Sequence, residues 1–174
     1  MRLLAPALLV ALTLGLSACD STSTVPATQI DGDYRVTSFT FDSENTTYGV
    51  INVLPYLYKT ATTTPELGID LFARNRAFVF SYRLATDNVR TSIQGTYTVR
   101  GSTVTLALDD EAAATRILVP TRLPLTLSET TDELVVNTRQ TVSLATLAQL
   151  DPNRYRGLSG ALSGRLQMRL TRVR

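Results

Sequence analysis

Apolar and polar side chains alternate with period two, between turn residues, from about residue 30 to the C-terminus. This commits most of the chain to antiparallel strands with one buried face and one wet face. Ile93, Gly95, Tyr97 and Val99 share one parity, while Gln94, Thr96, Thr98 and Arg100 share the other. Gly101-Ser102 supplies a tight turn, and beyond it Val104, Leu106 and Leu108 alternate with Thr103, Thr105 and Ala107, so the two runs predict a hairpin. Leu123, Leu125 and Leu127 precede a polar turn at residues 129–132, and Leu134 and Val136 resume the pattern as a second hairpin. Leu166, Met168 and Leu170 alternate with Arg165, Gln167 and Arg169, which describes a closing strand with a cationic outer face.

The first strand breaks the rule, because Tyr34 and Val36 lie on one parity and Phe39 and Phe41 on the other. A bulge at Thr37-Ser38 reconciles them. Phe78, Phe80 and Tyr82 form an aromatic face after a turn at Arg74-Asn75-Arg76. The fold class expected is all-β, an up-and-down antiparallel barrel of about eight strands, since closure leaves no exposed sheet edge; a β-sandwich is the alternative. One short helix is expected over residues 141–150, with Thr141 as its cap and Asp151-Pro152 as its stop. Residues 42–66 form a long connection, of a length uncommon unless it packs or functions.

The N-terminus has a different composition. Arg2 precedes an apolar run over residues 3–16, then Ser17, Ala18 and Cys19, the only cysteine among 174 residues. The run is too short for a bilayer of about 30 Å and reads as the core of an export signal. Leu16-Ser17-Ala18-Cys19 resembles the lipobox of bacterial lipoproteins, and the resemblance implies cleavage before Cys19, which becomes the lipidated N-terminus with its sulfur in a thioether to lipid. Residues 1–18 are then a signal peptide, 19–29 a lipid-anchored flexible tether rich in Ser and Thr, and 30–174 the folded domain. The expected location is the cell envelope, anchored by acyl chains to a membrane, with inner and outer membrane both open.

Composition also limits the chemistry. With no histidine and one cysteine, imidazole or thiolate zinc sites and Ser-His-Asp or Cys-His catalysis have no residues to use. Lys59, the sole lysine, lies in no Ser-x-x-Lys motif. The 17 basic and 15 acidic residues are dispersed, so no nucleic-acid partner is expected. No cofactor is expected either, and Asp109-Asp110-Glu111 reads as an exposed acidic turn, since it lacks the spaced ligands of a calcium loop.

Gly32-Asp33-Tyr34-Arg35-Val36 and Gly95-Thr96-Tyr97-Thr98-Val99 share the pattern Gly-x-Tyr-x-Val. With the hairpin at 95–108, they resemble the lipocalin-like domains of small bacterial lipoproteins. The resemblance implies a barrel whose opening strand, starting at Gly32, is sealed by an aromatic packed under an arginine of the last strand. Here Tyr34 stands where tryptophan is commoner, and Arg169 or Arg172 supplies the guanidinium.

The expected activity is binding, not catalysis. In the first reading, residues 42–66 lie over a barrel mouth and Tyr48, Tyr56 and Tyr58, with Phe78, Phe80, Tyr82 and Tyr97 below, hold a small apolar or amphipathic ligand. In the second, those aromatics are core, the barrel is filled by side chains, and the protein docks on an envelope protein partner.

Overall fold

The computed structural model describes residues 25–57, 67–85, 89–128 and 132–173. The expected signal peptide, Cys19, the first part of the tether, Tyr58 and Lys59 lie outside the described residues. Among those described, nine strands occur: β1 (Gly32–Ser43), β2 (Val50–Asn52), β3 (Gly68–Phe72), β4 (Ala77–Arg83), β5 (Arg90–Arg100), β6 (Thr103–Leu108), β7 (Arg122–Leu127), β8 (Glu133–Ser143) and β9 (Ala161–Arg172). Four short helices accompany them: α1 (Ala27–Ile30), α2 (Glu111–Arg116), α3 (Leu144–Leu150) and α4 (Pro152–Tyr155), with a 3-10 turn at Leu54–Tyr56.

Strand β1 pairs with β3 along one edge and with β9 along the other, so β1 and β3 to β9 close an eight-stranded antiparallel barrel. The closing ladder runs from Tyr34 opposite Arg172 to Ser43 opposite Gly164, which disposes of the sandwich. Strand β2 lies outside the ring, paired with residues 40–42 beyond the stretch of β1 that β3 covers.

The expected bulge is present. The β1–β9 register shifts between Val36 and Ser38, and Thr37 Oγ1 donates to the Arg169 carbonyl at 3.2 Å. Thr37 and Ser38 both face solvent, so Tyr34, Val36, Phe39 and Phe41 all point inwards despite their change of parity.

Two glycines let aromatic rings lie flat in the wall. A Cβ at Gly95 would sit 2.0 Å from the Ala107 carbonyl oxygen and 2.7 Å from the Phe78 ring. One at Gly164 would sit 2.3 Å from the Asp42 carbonyl oxygen and 2.7 Å from the Phe41 ring. Such approaches are open only to a residue without a side chain.

The outer wall is polar, with Asp33, Arg35, Gln94, Thr96, Thr98, Arg165 and Gln167 exposed between buried neighbours. A barrel that crossed a bilayer on its strands would carry an apolar band there.

The starts of β1 and β6, the β3–β4 turn and the end of β9 share one end of the barrel, which α1 covers. Helices α2, α3 and α4 and the 3-10 turn lie at the other. The helix expected over 141–150 begins only at Leu144, because residues 141–143 stay paired with β9 (Thr141 opposite Ser163, Ser143 opposite Ala161). Ser143, not Thr141, is its cap, accepting from the Thr146 N–H at 3.0 Å. Asp151-Pro152 does end α3, and it also starts α4, with Asp151 as cap and Pro152 in the first turn, where a missing N–H costs nothing.

The acidic turn at 109–111 opens α2. Asp110 accepts from the Ala113 N–H at 2.9 Å, and Ala113 and Ala114 are buried. Residues 25–29, expected within the tether, are packed on the barrel instead. Val25 N–H donates to the Gly101 carbonyl at 3.2 Å, and α1 drives Ile30 into the core.

Candidate functional site

The residues proposed to line a ligand cavity are brought together, but as core. Phe78, Phe80, Tyr82 and Tyr97 are 1%, 1%, 0% and 2% exposed. A side chain bordering a hollow wide enough for water would show area to it, and these show almost none. The same holds for Phe39, Phe41, Ile69, Ile93, Leu106, Leu125, Leu134 and Met168, whose exposure does not exceed 2%. The inward faces of the eight barrel strands meet one another. Tyr82 also donates its hydroxyl to the Ala113 carbonyl at 3.0 Å, which fastens α2 over the barrel.

At the helix-capped end Tyr48 and Tyr56 of the long connection bind their own protein. Tyr56 donates its hydroxyl to Asp151 Oδ2 at 2.9 Å, while Asp151 Oδ1 accepts from the backbone of Asn153 and Arg154. Burial first, then the hydrogen bond and charge of Asp151, push the Tyr56 phenol up to about 12. Tyr48 stacks on Tyr155 with centroids 6.1 Å apart, and Arg154 lies 5.3 Å over the other ring of that pair while donating to the Tyr48 carbonyl at 3.2 Å. Tyr56 O accepts from Ala85 N–H at 2.7 Å. Residues 44–57 are thus tied to the segment after β4 and to α3 and α4, a packed cover in which the Tyr48 ring and the Tyr56 hydroxyl are already engaged.

At the α1 end, Arg172 supplies the guanidinium over Tyr34. Its Cζ is 5.2 Å from the ring centroid, and its Nε and Nη2 donate to the Tyr34 hydroxyl at 3.2 and 2.6 Å. Nη2 also donates to the Gln29 carbonyl, which ties α1 to β9. Burial raises the Tyr34 phenol and Arg172 pulls it part of the way back. Arg169 points outwards and pairs with Glu133 at 3.3 Å. Gly32 holds φ at +130°, with nothing near the site of a Cβ. Tyr97 shares this end of the core, and its hydroxyl, like that of Tyr155, is buried without a hydrogen-bond partner among the described residues. Burial raises both phenols.

One recess was not foreseen. A cleft of about 420 Å³ opens between α2, the segment after it, the end of β8 and the start of α3. Glu111, Thr115, Gln140, Thr141 and Ser143 give it polar walls, and Leu118, Val119 and Val142 an apolar floor. Leu118 holds φ at +63°, a conformation a leucine adopts only under constraint; its carbonyl accepts from Gln140 Nε2 at 2.7 Å. Its volume is within the range of small-molecule sites. Sequence reasoning missed it because its walls come from two separate segments, 111–121 and 140–146, and α2 is only six residues long.

Asp33 and Asp70 face each other across β1 and β3 on the outer wall. Burial, then Asp33, raises the Asp70 carboxyl. Among the described residues no group of three metal-ligating side chains converges, and no helix is long and apolar enough to cross a membrane. Comparison with protein-family models finds no match, and comparison with curated proteins finds none either.

Proposed function

We propose that the protein is a lipid-anchored envelope protein with a lipocalin-like barrel that works by non-covalent recognition on its exterior, with its lumen filled by its own side chains. The observation that carries this reading is the near-zero exposure of Phe78, Phe80, Tyr82 and Tyr97, which leaves an apolar ligand no surface to bury against. The tied-down connection agrees with it, since Tyr48 and Tyr56 are engaged by α3 and α4 and would have to be released before a mouth could open. The anchor at Cys19 rests on the lipobox resemblance, and the polar outer wall fits a barrel that stands in water beside a membrane.

A fluorescent fatty acid titrated into the protein tests the filled lumen. The wild type is expected to show no saturable uptake, and Phe80→Ala, by opening space in the core, is expected to admit the probe. Stoichiometric, displaceable binding by the wild type would overturn the reading and restore a ligand-holding barrel.

A second reading has its own observation. The cleft between α2 and α3 is large enough for a small polar molecule, and the constrained Leu118 at its floor is the kind of backbone feature that collects at binding sites. In this reading the ligand sits outside the barrel. Thr115→Trp, at an exposed position on the cleft wall, fills the cleft from its solvent side, abolishes such binding and leaves stability unchanged within about 0.5 kcal/mol.

A further inference from the structure

The barrel closes, but one seam of its wall is only partly laddered. Strand β8 pairs with β9 along its whole length, from Glu133 opposite Thr171 to Ser143 opposite Ala161, whereas its ladder with β7 has only the rungs Thr126–Val135 and Leu127–Leu134. Residues 136–143 of β8 have no ladder partner on that side. The sequence explains the gap. Ser128 N–H donates to the Glu133 carbonyl, so even-numbered residues of β7 and odd-numbered residues of β8 turn their main-chain groups into the seam. In that register Pro120 and Pro124 stand opposite Thr141 and Asn137, and neither proline has an N–H to give. Leu118, at φ +63°, interrupts the extended backbone, and Gln140 Nε2 reaches across to its carbonyl at 2.7 Å where main-chain bonds are missing.

The cleft of about 420 Å³ lies at the open part of this seam, with residues 118–121 on one side and 140–143 on the other. Thr141 is exposed there, and among the described residues its N–H and C=O have no partner. A free strand edge is complementary to an extended polypeptide, whose own donors and acceptors recur at about 6.8 Å, twice the rise per residue. From Arg139 to Ser143 the edge runs about 13 Å, the length of about five residues of a guest. Arg139 and Thr141 are exposed, and guest residues paired with them share their outward face; the residues between turn inwards, onto Leu118, Val119 and Val142. Glu111 and Thr115 of α2 wall the cleft, which leaves space for a single chain and not for the rim of a second barrel.

We infer that this seam is a strand acceptor: an extended segment of a partner polypeptide, with alternating polar and apolar side chains, adds antiparallel to the free edge of β8 and fills the cleft. This names the ligand class for the exterior recognition proposed above, and rests on that reading. The full chain in detergent micelles is titrated, with amide NMR as the readout, with acetyl-Thr-Val-Thr-Val-Thr-amide and with the same peptide N-methylated at every threonine. Antiparallel pairing turns the threonine nitrogens towards β8, so methylation removes the donors without touching the fold of the protein. Thr141→Pro removes a donor from the other partner and leaves the β9 ladder intact, because the even-numbered residues of β8 make it.

The expected result is saturable shifts at the amides of Arg139, Thr141 and Ser143 with a Kd below about 1 mM, and binding at least about tenfold weaker for the methylated peptide and for Thr141→Pro. No saturable shift, or equal binding of the two peptides, overturns the strand acceptor. A fluorescent fatty acid titrated in parallel keeps that failure apart from failure of the reading beneath it. Without uptake of the fatty acid, exterior recognition stands even if the peptides do not bind; stoichiometric uptake overturns the filled lumen, and the inference resting on it, whatever the peptides do.

Discussion

Residues 32–36 and 95–99 carry one sequence pattern, and the fold puts the two copies to different uses. In each, tyrosine points into the barrel two residues after a glycine, which opens β1 but lies midway along β5. Gly32 is needed for its backbone, at φ +130° with open space around it, whereas Gly95 is needed for its missing side chain, because Ala107 and Phe78 occupy the place of a Cβ. The Tyr34 hydroxyl accepts from Arg172, while that of Tyr97 is buried without a partner among the described residues. Asp33 faces Asp70, while Thr96 faces Ala77 and Ala107. A short motif fixes which way its side chains point, and the neighbouring strands decide what each of them is worth.

The largest expected effect lies in the second copy. Gly95→Ala forces apart β5 and β6 and displaces the Phe78 ring, and a loss on the order of 3 kcal/mol is expected in urea unfolding, against about 1 to 2 kcal/mol for Gly32→Ala, where only the backbone is strained. Equal losses would mean that both glycines serve one purpose. Next comes the first copy's seal. Arg172→Ala removes the donors to Tyr34 and Gln29 and leaves a buried phenol unsatisfied, which is expected to cost about 2 kcal/mol and to raise amide exchange across α1.

The acid pair gives a smaller effect with a pH signature. Folded Asp70 keeps its proton to higher pH than the unfolded chain does, so its contribution is most favourable at low pH. Stability then falls as pH rises through the carboxylate range, and the full penalty is present at neutrality. Asp70→Asn should therefore stabilise by about 0.5 kcal/mol at pH 7 and flatten the acid limb of the stability profile. An unchanged profile would sink the assignment. Smallest is Tyr97→Phe, which deletes an unpartnered hydroxyl and is expected to leave stability unchanged or raise it by up to about 1 kcal/mol. The same change at Tyr34 should lower it.

The barrel wall was legible because a strand between core and water writes its geometry into every second residue. Even the bulge at Thr37 and Ser38 could be read, since a change of parity inside one apolar run has few other meanings. The caps were not legible. α2, capped by Asp110, is too short to show a helical period, and α3 starts three residues later than its composition allows because β9 holds residues 141–143 in the ladder. The aromatics of the proposed site were found in sequence but not their state: Phe78 and Phe80 alternate in the same way whether they line a cavity or fill it.

By itself the sequence determined an antiparallel all-β chain with a bulged first strand, a closing strand with a cationic outer face, and a chemistry without imidazole. These follow from periodicity and from residue inventory, which need no knowledge of neighbours. Only the tertiary structure decided that β1 meets β9, that Arg172 and not Arg169 covers Tyr34, that Tyr48 and Tyr56 fasten a cover to α3 and α4, and that the lumen is full. Each of these depends on which side chains meet across distances of up to 138 residues in the chain, and local pattern carries no record of that.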